Sequence, residues 1–352
     1  MLTLKDIAQH VGVSASTVSL VLNDRDSGRV NSDVAERVRR TAREMGYVPN
    51  LLARSLKTKQ SHTIGVLSDG VASVPFAGPM LRGAQTTAWD DGYLLMLIDT
   101  GGKRELDSPA VRSLMQRNIE GLILAAEFHR DLEVPLVPTS IPTVVLDGRP
   151  TGGRDDVDSV VPDEEQGAYD AVRFLIERGH RRIAHLTVTD PRFIAKELRR
   201  EGYRRALAEI GVPVDERLVV AAAEPSTVAG YPVALELLGR ADRPTAVFCF
   251  SDQLAFSIYQ AAADLGLRIP EDLSVVGFDN QTFVADALRP GLTSVSLPLE
   301  PMGSWAVARA IRRIRATTAA PPGNGARTDP PEHRLMACPL VIRESVAEPP
   351  PP

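Results

Sequence analysis

From residue 63 to residue 343 the chain alternates short apolar runs with amphipathic segments, and no other feature narrows its fold as much. Strands are predicted at 63–67, 93–98, 121–125 and 143–146, with helices at 77–91 and 110–118 between them. A second round begins near Val160. It predicts helices at 164–178, 196–210, 229–238 and 252–265 and strands at 182–186, 217–221, 246–250 and 273–277. The chain then returns with a strand near 294–297, a helix at 300–317 and a last strand at 339–343. Parallel strands need a crossover, and the helices supply it, so the pattern implies α/β architecture: parallel sheets with helices on both faces. The Pro/Gly-rich segment 319–334 reads as a mobile loop, and residues 346–352 as a disordered tail.

The first 48 residues follow a different rule. The run LKDIAQHVGVSASTVSLVLN (4–23) reads as two short helices around a tight turn. Ile7 and Ala8 carry the apolar face of the first helix, and Thr3 with Asp6 forms an approximate capping box. Gly12 sits where the turn needs a residue that tolerates positive φ. Ser14 caps the second helix, whose Val18, Val21 and Leu22 share a face at i, i+3 and i+4. Ala15, Ser16, Thr17 and Ser19 are small or hydroxylic, which lets a helix lie close to DNA and donate to phosphates or base edges. A third helix opens at Val30-Asn31-Ser32, faces the others with Val34, Val38 and Ala42, and closes at Gly46. Residues 1–60 carry ten Lys/Arg against six Asp/Glu, while the rest carries 30 against 39. A basic end on an acidic body suits a protein that meets phosphates at one end.

Several function classes drop out. No run of about 18 apolar residues exists for a membrane span, and the start MLTLKDIAQH lacks a signal-peptide core. Cys249 and Cys338 form no metal or redox motif, which fits a reducing cytoplasm. There is no glycine-rich nucleotide loop, Walker loop, HExxH or GxSxG, so no enzyme activity, cofactor or metal is expected.

Three strings carry a family resemblance: TLKDIAQHVGVSASTVSLVLN (3–23), GYVPNLLARSLKTKQSHTIGV (46–66) and LVIRES (340–345). Together they resemble the LacI family of bacterial transcription regulators over nearly the whole chain. The resemblance implies a helix-turn-helix head at 1–48, a hinge helix or linker at 49–60, and a two-lobed periplasmic-binding-protein-like core at 61–345. Lobe 1 would hold 61–160 plus 292–345, and lobe 2 would hold 161–291. It implies a DNA-contacting set of Thr3, Leu4, Ser14, Ala15, Ser16, Thr17, Ser19, Leu20, Asn23, Arg29, Asn50, Ala53, Leu56 and Lys57. Leu56 matches the leucine that wedges between base pairs in the minor groove, a step that costs a few kcal/mol and is offset by wider contact; the alternative is a plain linker with Leu56 packed on the core.

The ligand-binding set implied by the same resemblance is Phe76, Asp147, Arg199, Ser251, Asp279 and Leu299; Asp147, Leu299 and also Asp163 come from the alignment alone. Phe76 could equally be core packing, and Arg199 a solvated helix charge. Asp252 is expected to cap the following helix while Ser251 faces the ligand. Leu20 stands where many members place a guanine-reading arginine, no aromatic lies near Ala221-Ala222-Ala223-Glu224, and Phe250 replaces a small residue. These departures count against a simple hexose. The expected function is a cytoplasmic, nucleoid-associated homodimer that binds near-palindromic operator DNA as a repressor and responds to a small effector, such as a sugar or sugar derivative. An activator and a solute-binding protein without a DNA role stay open as alternatives.

Overall fold

The computed structural model describes residues 2–47, 60–138, 140–154, 156–319 and 329–351. The hinge positions Asn50, Ala53, Leu56 and Lys57 lie outside the described residues, as do residues 320–328 of the expected loop. The chain forms two compact units, residues 1–61 and 62–352.

The first unit holds α1 (Leu4–Val11), α2 (Ala15–Leu22) and α3 (Ser32–Glu44). Gly12 ends α1 in the left-handed region at φ 77° and turns the chain into α2. Asp6 accepts from both the Thr3 backbone N–H (2.7 Å) and the Thr3 hydroxyl (2.8 Å). Ile7, Val18, Val21 and Val38 are fully buried at the centre. On α3 the buried stripe is Ala35, Val38 and Ala42, with Val34 only partly covered. Arg39 pairs with Asp26 at 2.9 Å and Asp24 at 3.2 Å, tying α3 to the loop after α2.

The second unit has two six-stranded sheets. In order along the chain its elements are β1 (Thr63–Ser68), α4 (Gly78–Asp90), β2 (Leu94–Asp99), α5 (Asp107–Met115), β3 (Gly121–Glu133), β4 (Thr143–Thr151) and β5 (Asp158–Pro162). There follow α6 (Glu164–Glu177), β6 (Ile183–Val188), α7 (Ile194–Glu209), β7 (Val219–Ala222), α8 (Thr227–Leu238), β8 (Ala246–Cys249), α9 (Asp252–Asp264) and β9 (Ser274–Asp279). The return consists of α10 (Thr282–Ala285), β10 (Thr293–Ser296), α11 (Leu299–Ala319), β11 (His333–Met336) and β12 (Leu340–Val341). The sheet orders are β11-β5-β4-β3-β1-β2 and β12-β10-β9-β8-β6-β7. All pairings are parallel except β10 with β12. Each sheet reverses its strand order beside its first strand, and the carboxyl ends of strands at such a point form a crevice where ligands bind.

Three corrections to the sequence reading follow. β10 and β12 complete the second sheet, so residues 293–296 and 340–341 belong to lobe 2, not lobe 1. The chain crosses between lobes three times, after β5, after β10 and after β11. Residues 329–334 are not loose: Arg309 and Arg313 of α11 bind buried Asp158 at 3.0 and 2.8 Å and the Pro330 carbonyl at 3.0 and 2.8 Å. β11 then pairs with β5. The tail after Ser345 is also held. The Ala347 N–H donates to Ser274 Oγ at 3.1 Å, and its carbonyl lies 2.9 Å from the Nε2 of fully buried His180. In lobe 1, α4 and α11 cross so closely that neither Gly83 nor Gly303 has room for a Cβ.

Candidate functional site

The cleft of the second unit is built where strand regularity fails. β3 and β4 lose register between Ala125 and Arg130, and the irregular stretch carries Glu127, Phe128 and His129. Opposite it, Asp147 sits at φ 60°. In lobe 2, β9 ends at Asp279 and is followed by Asn280, at φ 97° and 51°. Non-glycine residues held in the left-handed region are strained, and such strain gathers at functional sites.

The carboxyl ends of β8 and β9 are then locked. Ser251 is the N-cap of α9, its hydroxyl accepting from the Leu254 N–H at 3.3 Å. Asp252, fully buried, is the first helical residue. The capping role therefore falls to Ser251, which also lines the cavity, and not to Asp252 as expected. The Asp252 carboxylate accepts from the Gln281 N–H at 2.6 Å and from the Ser294 hydroxyl, which fixes the loop after β9. Burial, and then the nearby Asp279, push its carboxyl well above the ordinary value.

These elements enclose a cavity of about 90 Å³ lined from both lobes. All six expected ligand residues line it: Phe76, Asp147, Arg199, Ser251, Asp279 and Leu299. Asp163 does not; it caps α6 through the Gln166 N–H, and its neighbour Glu164 takes the wall position. Arg199 is no solvated helix charge. It is 3% exposed and donates from Nε to Glu164 Oε2 at 2.7 Å, to the Phe250 carbonyl, and to Asp279 Oδ1 at 3.4 Å. Its guanidinium lies 3.6 Å from the Phe278 ring centroid and 4.4 Å from that of Phe250.

Electrostatics follow from this wiring. Burial opposes ionisation of Glu164, yet the Arg199 guanidinium prevails and holds its carboxyl below the ordinary value. Burial pushes Asp279 up to about 7, with Arg199 opposing and Glu164 adding to the rise. Asp147 is 3% exposed; burial and then repulsion by Glu164 push it well above the ordinary range. Its Oδ1 has no hydrogen-bond partner, nor do both ring nitrogens of His129 or Gln281 Oε1. His129 Nδ1 stands 3.9 Å from Glu164 Oε1, an ion-pair distance beyond hydrogen bonding. Unsatisfied buried polar atoms are costly, and here they belong to three residues around one cavity.

Residue-level reading missed Glu127, Phe128, His129, Glu164, Phe193 and Gln281, all in the lining. The signal for the first three was present: Glu-Phe-His interrupts the apolar run GLILAA. No aromatic stands near Ala221, but Phe193 supplies one from the start of α7 and stacks on Phe128 across the cleft, centroids 4.3 Å apart.

In the first unit Thr3, Ser14, Ser16, Asn23 and Arg29 are exposed, and Thr17, Ser19 and Leu20 are half-exposed. Leu4 and Ala15 are partly buried and pack on the head's core. Ser14 Oγ accepts from the Thr17 N–H at 3.1 Å and contacts the Ser16 hydroxyl at 2.7 Å, while Asn23 Nδ2 donates to the Ser19 carbonyl at 2.7 Å.

A helix-turn-helix unit joined to a two-lobed α/β receptor with a polar cavity defines a class: a DNA-binding protein under small-molecule control. Comparison with known proteins agrees. The model for bacterial regulatory proteins of the lacI family matches residues 3–50, and that for the periplasmic binding protein-like domain matches residues 172–346. The HTH-type transcriptional repressor PurR of Yersinia pestis bv. Antiqua is 33% identical over 99% of this chain and 98% of its own length. The ribose operon repressor of Escherichia coli K12 is 34% identical over 90% of this chain and 94% of its own. A solved structure described as the transcriptional regulator CelR–cellobiose complex is 30% identical, covers 98% of this chain and all of its own, and superposes with a TM-score of 0.66. The chain belongs to the LacI family of bacterial regulatory proteins. It is a DNA-binding transcriptional regulator with an effector-binding core, in a family of regulators and not of enzymes.

Among the described residues no helix is long and apolar enough to cross a membrane, and no cluster of side chains could hold a metal ion.

Proposed function

We propose that the chain is a transcriptional repressor, acting in the cytoplasm as a homodimer on a near-palindromic operator, whose affinity for DNA is set by a small metabolite bound between the core lobes. The observation that carries this reading is the cavity itself: residues from both lobes surround it, and Asp147, His129 and Gln281 hold polar atoms there that no protein group satisfies. A ligand that completes those bonds favours one lobe arrangement over another, and that difference is the coupling free energy between effector and DNA. Repression is supported by the repressor names of the two relatives above, and a small-molecule ligand by the cellobiose complex.

Phe76, Asp147, Arg199, Ser251, Asp279 and Leu299 form the effector site in this reading. Ser14, Ser16, Thr17, Ser19, Leu20, Asn23, Thr3 and Arg29 form the head's DNA surface, with Leu4 and Ala15 packing behind it and Asn50, Ala53, Leu56 and Lys57 completing it from the hinge. With serine, alanine and leucine in place of long polar side chains, base readout leans on methyl contacts and DNA shape. The test is selection of operator sequences from random duplex DNA by the purified chain, with and without pooled metabolites. Enrichment of a palindrome, altered by a metabolite, is the expected result; no enrichment in either condition would overturn the reading.

A further inference from the structure

The cavity lining holds no uncommitted cation. Four acidic side chains, Glu127, Asp147, Glu164 and Asp279, line it against one arginine, Arg199. That arginine is already matched by Glu164 at 2.7 Å, by Asp279 at 3.4 Å and by the Phe250 carbonyl, with Phe278 and Phe250 rings over its guanidinium. His129, the other nitrogen base in the lining, has Glu164 3.9 Å away. Two cations stand just outside the lining, and both are held: Arg130 by Asp69, and Arg192 by Asp190 at 2.7 Å. An anionic ligand therefore gives up its hydration without gaining an uncommitted cation, and burying an unpaired charge is the costliest exchange a site can make.

The unpartnered atoms point the same way. Asp147 Oδ1 and Gln281 Oε1 are buried oxygens without a hydrogen-bond partner. A ligand satisfies them by donating. Phe76, Phe128, Phe193 and Phe250 add apolar ring faces from both lobes. On this side of the cleft the walls ask for a flat or ring-shaped body edged with O–H or N–H groups.

We infer that the effector is an uncharged or cationic ring compound rich in hydrogen-bond donors, that the site rejects phosphorylated or carboxylated forms of the same ring, and that Asp147 is the residue that takes the ligand's donor. The inference rests on the effector-controlled reading above.

The experiment uses the full-length protein on its selected operator. A small-molecule extract of bacterial cells is split on an anion-exchange column into an unretained fraction, holding neutral and cationic compounds, and a retained anionic fraction. Each is titrated into an operator-binding assay, with ribose against ribose 5-phosphate and adenosine against adenosine monophosphate as defined pairs. A change in operator affinity with the unretained fraction alone is expected. A change produced by the retained fraction, or by a phosphorylated member more strongly than by its neutral partner, would overturn the inference while leaving effector control standing. No change with any probe would overturn effector control itself and the inference with it. In Asp147→Leu the half-effect should need at least tenfold more of the unretained fraction, because both carboxyl oxygens are deleted. An unchanged half-effect removes Asp147 from the assignment. Should that variant not fold, Gln281→Leu, which deletes the second unpartnered acceptor, carries the same expectation.

Discussion

At the scale of the residue, Asp279 beside Arg199 makes part of the core's stability depend on pH. Asp279 is a carboxyl whose value in the folded chain rises to about 7, chiefly through burial and despite Arg199. A carboxyl raised on folding binds a proton in the native state that the unfolded chain has already released, so its stabilising contribution is present below about 4 and is lost as the pH climbs through about 7. Asp147 shares the pocket and its carboxyl is raised in part by Asp279, so the difference between wild type and Asp279→Asn reports Asp279 together with its effect on that neighbour. Asp279→Asn should melt with a flatter pH dependence between pH 4 and 7 and should gain most over wild type near pH 8. Melting curves across that window that run parallel for the two proteins would refute the assignment. Resemblance pointed to Arg199 and Asp279, and the structure puts both on the cavity wall. Their partner Glu164 was not legible, because which of two adjacent acids, Asp163 or Glu164, turns inward depends on the cap geometry of α6, and no periodicity encodes that.

At the scale of the element, the helices and strands in the regular part of the fold could be read and the interruptions could not. Ser14 was identified as a cap from its position before an apolar helix, and it is one. Removing it in Ser14→Ala should cost the recognition helix about 1 kcal/mol, seen as roughly fivefold faster amide exchange across residues 15–22, since local opening sets exchange there. Unchanged exchange would mean that packing on Val18 and Val21 alone holds the helix. By contrast, strand expectations stopped at Ala125 and Leu146, the last regularly paired residues before β3 and β4 slip register. Beyond that point the period-two signal ends, although both strands continue to Glu133 and Thr151. β11 was hidden for another reason: it is four residues long, mostly exposed, and its place beside β5 is fixed by Arg309 and Arg313 on a distant helix. Asp252 belongs to the same class of long-range device. It joins α9 to the loop after β9 and to β10, so Asp252→Ala leaves the Gln281 N–H and the Ser294 hydroxyl without an acceptor. Each orphaned group costs about 1–3 kcal/mol. The variant should therefore lower core stability by about 2–6 kcal/mol in denaturant melts; a loss under half a kcal/mol would show that water replaces the carboxylate.

At the scale of the whole receptor unit, two lobes joined by three chain crossings surround a cavity of about 90 Å³, well under the roughly 300 Å³ at which ordinary ligand sites begin. The lobes are thus drawn together, and the Phe128–Phe193 stack is a contact that spans them at the cavity. Phe193 also meets Phe250 edge-on at 5.7 Å, so it hinges on lobe 2 while its face rests on lobe 1. Aromatic pairs of this kind contribute about 0.5–1.5 kcal/mol beyond the area they bury. Spent on an equilibrium between closed and open lobes, that energy shifts the ratio by about twofold to tenfold, enough to change how often a ligand finds the site and too little to unfold the protein. Phe193→Leu keeps the apolar volume and deletes the stacking. Both native cysteines are buried, so spin labels attached at Gln116→Cys in lobe 1 and Glu271→Cys in lobe 2 report without interference when the labelled chain is diluted into unlabelled protein. The fraction of long label-to-label distances in the ligand-free protein should rise by that same factor in Phe193→Leu. If the distance distribution does not move, the lobe angle is set by the three crossings and by the Arg199 cluster within lobe 2, and the aromatic pair only fills space between them.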